Sequence, residues 1–146
     1  MISCVDFIPA YSELFKFLER KGGEAAVRDF WSFLSDTYLK NLRDLVAAQG
    51  IKGCWLYWAQ TLNEEAADFR MELDEAAGEF KIVMYRCPSK GRLLEIKHVE
   101  PYRDYCLHCD AIYRRVLEPL GYDYLIDLAR VDEARCAVTV RVRRRS

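Results

Sequence analysis

The period of the apolar residues changes once along this chain, near residue 68, and that change limits the folds open to it. Before it, apolar residues recur in steps of three and four, the spacing of a helix face. Tyr11, Leu14, Phe15 and Leu18 mark a first helix, opened by Pro9 and ended by Gly22-Gly23. Val27, Phe30, Trp31, Leu34, Tyr38, Leu42 and Leu45 mark a second, predicted over 24–49 and stopped by Gly50. A third, over 53–66, turns Trp55, Trp58 and Leu62 inward. Beyond residue 68 the step is two. Asp68-Phe69-Arg70-Met71-Glu72-Leu73 and Phe80-Lys81-Ile82-Val83-Met84-Tyr85 alternate on either side of a break containing Gly78. The pattern predicts a β-hairpin with opposite charges paired across its strands.

Cys87-Pro88-Ser89-Lys90-Gly91 reads as a loop. A fourth helix is predicted over 101–118, with Pro101 in its first turn and Pro119 beyond its end. Gly121 opens a second hairpin, in which Tyr122, Tyr124, Ile126 and Leu128 share one face. In the last strand Ala134, Cys136, Val138, Val140 and Val142 face one way, and Arg135, Thr139, Arg141 and Arg143 the other. Cys136, Val138 and Val140 are expected in the core, Arg141 and Arg143 in solvent. Helices, hairpin, helix, hairpin is the order of a single α+β domain over 1–146, a small antiparallel sheet with helices on one face. No glycine-rich loop follows a strand, which argues against a nucleotide fold.

With 146 residues and 51% hydrophobic content, the chain has enough apolar surface for one core, so a disordered linker role is excluded. Lys plus Arg number 22 against 23 Asp plus Glu, a balance that argues against a generic grip on nucleic acid. The longest uncharged stretch, 53–63, is too short to span a bilayer. Met1-Ile2-Ser3-Cys4-Val5-Asp6 lacks the basic and then apolar pattern of a secretory signal. The expectation is a soluble cytoplasmic domain with a small-molecule partner and neither nucleic acid nor membrane.

Six cysteines stand at positions 4, 54, 87, 106, 109 and 136. At this length the core needs no disulfide staples, so the thiols are buried small hydrophobes, metal ligands or reactive groups. The densest constellation is Tyr105-Cys106-Leu107-His108-Cys109-Asp110. Cys106 and Cys109, three apart, share the inward face with Tyr102, Tyr113, Val116 and Leu120. Cys106 lies near the helix N-terminus, where the helix dipole favours a thiolate. Asp110, four residues on, suits a cationic substrate group or a proton transfer. The bland reading is two buried thiols beside a solvated carboxylate. His108 aligns with Asp104 on the expected wet face and points away from Cys106, which excludes a Cys–His dyad inside the helix. His98, in the preceding loop, can reach over the helix as a base or stay a surface residue.

Cys106-x-x-Cys109 supplies two metal ligands, and Cys87, Cys136 or His98 could add more, but no second pair stands at finger-like spacing. No cofactor is required by the sequence, and a divalent metal stays open. Trp55, Tyr57 and Trp58, with Tyr102, Tyr105, Tyr122 and Tyr124, form core or line a cavity. Arg141, Arg143, Arg144 and Arg145 read as a solvated strand end or an anion site.

Cys87-Pro88 after a strand, Tyr105-Cys106-x-x-x-Asp110 on a helix, and Cys136 in the last strand form one pattern. Thr61-Leu62-Asn63-Glu64-Glu65 stands ahead of the first hairpin. Across residues 55–142 this resembles the L-2-amino-thiazoline-4-carboxylic acid hydrolase family, a group of small α+β proteins. The chain is short for that family and has Cys136-Ala137-Val138 where the family often reads Cys-x-Phe. A related layout occurs in vinyl-reductase-like domains that bind small molecules without necessarily turning them over. The resemblance implies hydrolytic opening of a cyclic amidine that carries a carboxylate. Cys106 would be the nucleophile, with Cys87, Cys109, Cys136, Tyr105 and Trp58 around the substrate. Asp110 would hold the amidinium, Arg86 or Arg103 would clamp the carboxylate, and His98 would serve as base. The alternative is a non-catalytic binding or sensor domain with structural or metal-binding cysteines.

Overall fold

The computed structural model describes residues 4–65 and 67–144. Ala66, the expected end of the third helix, Arg145 of the terminal arginine group and the opening Met1-Ile2-Ser3 lie outside the described residues. The N-terminal half is helical: α1 (Cys4–Thr37), α2 (Lys40–Gln49) and α3 (Ile51–Glu64). Strands β1 (Asp68–Asp74) and β2 (Glu79–Arg86) follow, then α4 (Pro88–Glu95), α5 (Leu107–Leu117), β3 (Tyr122–Asp127) and β4 (Cys136–Val142). The sheet is antiparallel throughout, in the order β1-β2-β4-β3, so the two hairpins join through β2 and β4. The α+β architecture expected from the change of period is the one found. No helix among the described residues is long and apolar enough to cross a membrane.

One face of the sheet carries Phe80, Ile82, Met84, Tyr124, Val138 and Val140, all buried under the helices. Each such side chain contributes about 1.5–3 kcal/mol by leaving water. Trp58 of α3 stacks on Phe80 with ring centroids 5.7 Å apart, and Tyr113 of α5 lies 5.9 Å from Tyr124. Ser35 Oγ donates to the carbonyl of Ile112 at 3.1 Å and so ties α1 to α5. The opposite face carries the solvent-facing residues of the alternation, Arg141 among them, and Arg143 just past β4 is exposed as well. Cys136 is half-buried.

The differences from expectation have local causes. Helix α1 starts at Cys4, upstream of Pro9, and runs through Gly22-Gly23, which adopt non-helical angles and kink it. At the other end, Leu39 N–H bonds to the carbonyl of Leu34, five residues back. That extra residue rotates the chain, so Leu39 is buried and Tyr38, expected inward, is 76% exposed. The helix expected over 24–49 is thereby split. Trp55 also turns out rather than in, while Cys54, Tyr57 and Trp58 are buried. Gly53 explains the tight turn between α2 and α3, since a Cβ there would run into the Leu45 carbonyl. In the first hairpin Lys81 stands opposite Glu72 and is attracted to it across the strands, as expected, while the closest ion pairs, Lys81 with Glu79 and Arg70 with Glu72, run along each strand. Val142, expected inward, is exposed at the last position of β4, beside Gly78 of the first hairpin's turn.

Candidate functional site

The chain leaves β2 at Cys87 and enters α4 at once, where a loop was expected. Pro88 sets the first helical turn, and the thiol of Cys87 stands where an oxygen usually caps, accepting from Lys90 N–H at 3.5 Å. Cys87 N–H donates to the carbonyl of Ala134 at 2.7 Å, which holds the start of α4 against the turn that leads into Cys136.

Residues 101–106 form turns rather than the first half of a helix, and α5 begins only at Leu107, with Cys106 as its N-cap. The cause is a long-range bond: Tyr102 N–H donates to buried Ser12 Oγ on α1 at 2.7 Å. Tyr105, Leu107, His108 and Cys109 then each bond to the carbonyl three residues back, a tighter turn than an α-helix. Side chains 105–109 therefore depart from the directions that an ideal helix assigns them.

Cys87, Cys106, Cys109 and Cys136, from four separate positions, line one cavity of about 30 Å³ closed by Ile126, Leu128, Val131 and Ala134. Lys90 and Arg135 stand at its edge. Burial dominates its electrostatics. It pushes the Cys106 thiol up to about 11, against a partial offset from Lys90, and the Cys136 thiol up to about 12. Cys87 is also raised by burial, and Cys109 is raised furthest beyond the ordinary thiol range, by burial and then by Cys87, Cys106 and Cys136. Desolvation therefore opposes the thiolate expected of Cys106 at the helix N-terminus and outweighs the dipole. Among the described residues no group of three or more His, Cys, Asp or Glu is placed to hold a metal ion.

His108 is not on a wet face. Its ring lies among Tyr11, Phe15 and Tyr105, with centroids 5.6, 5.9 and 4.8 Å away. Nδ1 meets the Tyr105 carbonyl, and Nε2 lies 3.5 Å from Cys109 Sγ. A carbonyl only accepts, so Nδ1 carries the hydrogen and Nε2 offers a lone pair to the Cys109 S–H. Burial lowers His108 to about 4, so the ring is neutral at physiological pH. A Cys–His contact thus exists inside this helix turn, with Cys109 rather than Cys106. The tight first turn brings the adjacent side chains together.

On the other side of His108 and Tyr105 opens a pocket of about 560 Å³. Phe7, Ile8, Tyr11, Leu14 and Tyr38 form its apolar part, and Glu65, Ser89 and His108 are its polar groups. Glu65 is exposed as a residue, but local desolvation of its carboxyl against the pocket wall raises it, and neighbouring Glu64 adds to that.

The other expected residues are elsewhere. Asp110 pairs with Arg114 at 2.5 Å and opens onto a separate cleft with Asp104 and Trp31. His98 is exposed in the segment after α4. Arg103 is held by Glu19, Glu24 and Asp104, and Arg86 pairs with Glu95. Trp58 belongs to the core beneath α3. The structure thus brings the four cysteines together, with Tyr105 nearby, and leaves Asp110, His98, Arg86, Arg103 and Trp58 out. The side chain of Cys4 lies outside the described residues. Arg143 and Arg141 pair with Asp123, as at a solvated strand end. Tyr11, Glu65 and the orientation of His108 were not legible, because the pocket joins residues as far apart in the chain as Phe7 and His108.

A scan against protein-family models finds no match, and neither curated proteins nor solved structures give one.

Proposed function

We propose that this chain is a small-molecule-binding domain whose ligand site is the aromatic pocket and whose buried thiols are structural. One observation carries the reading: the contrast between the two cavities. The pocket beside Tyr11 and Tyr105 offers about 560 Å³. That is within the roughly 300–1,000 Å³ of ligand sites, and its apolar walls carry a few converging polar groups. The thiol cavity offers about 30 Å³. That is about one water's share of volume, too little for a ring. Its thiols are raised by burial, so they are protonated at neutral pH and poor nucleophiles. Cys54, Cys87, Cys106, Cys109 and Cys136 are free, in keeping with a reducing cytoplasm. The test is equilibrium binding of small aromatic probes before and after the thiols are blocked under mild denaturation and refolding. Retained affinity supports the reading, and affinity lost with blocking in a correctly folded protein contradicts it.

A second reading, thiol-dependent hydrolysis of a cyclic amidine, is favoured by the Cys109–His108 contact. In it the Cys109 proton passes to Nε2 of His108 as sulfur bonds to the amidine carbon. The C=N electron pair moves onto nitrogen, and His108 returns the proton as the C–N bond breaks. Water then adds to the thioimidate and releases the thiol, so one water is consumed per C–N bond. Lys90, which forms no ion pair among the described residues, would hold the substrate carboxylate in place of Arg86 or Arg103. An adduct on Cys109 in the intact mass after exposure to such an amidine would establish this reading. Its absence at concentrations that saturate the pocket would remove it.

A further inference from the structure

We propose that the aromatic pocket takes a hydrophobic organic monocation, an arylalkyl ammonium, with the Glu65 carboxylate at its charged end and the rings of Tyr11, Tyr38 and Tyr105 around it. This rests on the reading of that pocket as the ligand site. The charge pattern sets the ligand class. Among the described residues no Lys or Arg lines this pocket. Glu65 is its one carboxyl, and it has no ion pair or side-chain hydrogen bond among the described residues. His108 adds no positive charge, because burial keeps the ring neutral. An anion entering here would meet a carboxylate and no cation to offset it. A dication would meet one carboxylate only.

The walls point the same way. Tyr11 and Tyr105 stand edge to face with centroids 6.2 Å apart, so ring faces and edges both border the space. Among the described residues Tyr38 is the most exposed large hydrophobic one, left in water by the shift of α1 that buries Leu39. Ring faces attract ammonium groups, most strongly where water is excluded. The raised carboxyl of Glu65 fits a site waiting for a cation, since a bound positive charge would reverse that shift.

The experiment is calorimetric titration of the full chain at neutral pH with three probes of one shape: phenethylammonium, 2-phenylethanol and phenylacetate. Phenethylammonium should bind about tenfold tighter than the alcohol, with phenylacetate weakest. Glu65→Gln should bring the ammonium down to the alcohol's affinity. Glu65 is exposed, so this variant keeps the fold. Tyr38→Ala should weaken the ammonium more than the alcohol. Equal binding of all three probes, or no effect of Glu65→Gln, overturns the charge selectivity while leaving the pocket as the ligand site. No binding of any probe up to about 10 mM, weaker than the ordinary range of small-ligand affinity, overturns the pocket and the proposal together.

Discussion

Cys109 Sγ lies 3.5 Å from Nε2 of His108, while Nδ1 of the same ring faces the carbonyl of Tyr105. The imidazole is therefore fixed in one tautomer, between an aromatic pocket and a cavity of thiols. It separates two volumes that differ by more than tenfold, and its protonation state bears on both.

The first prediction follows from its burial. The unfolded chain binds a proton at His108 near the ordinary 6.5, and the folded chain only near 4. The folded value is the lower one, so the unfolded state takes up more protons between them. Stability is then full above about pH 6.5 and falls as the pH drops toward 4. Denaturant melts of wild type and His108→Gln should diverge in slope over that window, since the variant lacks the titrating group. A ring resonance of His108 that titrates near pH 6.5 in the folded protein would contradict the burial.

The thiols should be sluggish. Cys106 and Cys136 are raised to about 11 and 12, and Cys87 and Cys109 are raised as well. Alkylation of the native protein should climb steadily with pH through 9 with no plateau, each site slower than free cysteine. Peptide-resolved labelling rates check this. A single site that plateaus near neutrality would revive the enzymatic reading and name its nucleophile.

Ser12 holds the turn that shapes the site. Its Oγ accepts the Tyr102 N–H at 2.7 Å, where both residues are buried. Ser12→Ala leaves that donor unpaired, at a cost of about 1–3 kcal/mol. Because residues 101–106 lose their anchor, amide exchange at Tyr105 and His108 should quicken along with the drop in melting temperature. Unchanged exchange there would show that the turn stands without the serine.

Gly53→Ala tests the α2–α3 corner. The added methyl would collide with the Leu45 carbonyl, which is backbone and cannot swing aside. Overpacking of this kind costs about 1–3 kcal/mol, and a shift of the α2–α3 corner would carry Tyr57 and Trp58 with it. A chemical denaturation midpoint equal to wild type would contradict the close approach.

Much of this fold was legible. The alternation of 68–73 and 80–85 and of the last strand reflects one buried and one wet sheet face, a pattern that depends on local spacing alone. The gathering of Cys87, Cys106, Cys109 and Cys136 also followed from the order of elements. What could not be read depended on distant partners. Ser12 reaches across to Tyr102, and the turn it fixes delays α5 to Leu107 and re-aims His108. The phase slip at Leu39 carries no glycine or proline to announce it, yet it places Tyr38 in the pocket wall. Asp110 looked like a neighbour of Cys106 at four residues' spacing, but Cys106 lies before α5 in the tight turn, and Asp110 instead pairs with Arg114 one helical turn on.

Which of the two volumes receives a ligand is settled most directly by nuclear magnetic resonance on protein labelled at tyrosine rings, histidine rings and isoleucine and valine methyls. On titration with phenethylammonium, the signals of Tyr11, Tyr38, Tyr105 and His108 should shift together along one saturation curve. The methyls of Ile126 and Val131, which face the thiol cavity, should stay in place. Shifts centred on Ile126 and Val131, with the tyrosines unmoved, would contradict the account and return the site to the cysteines.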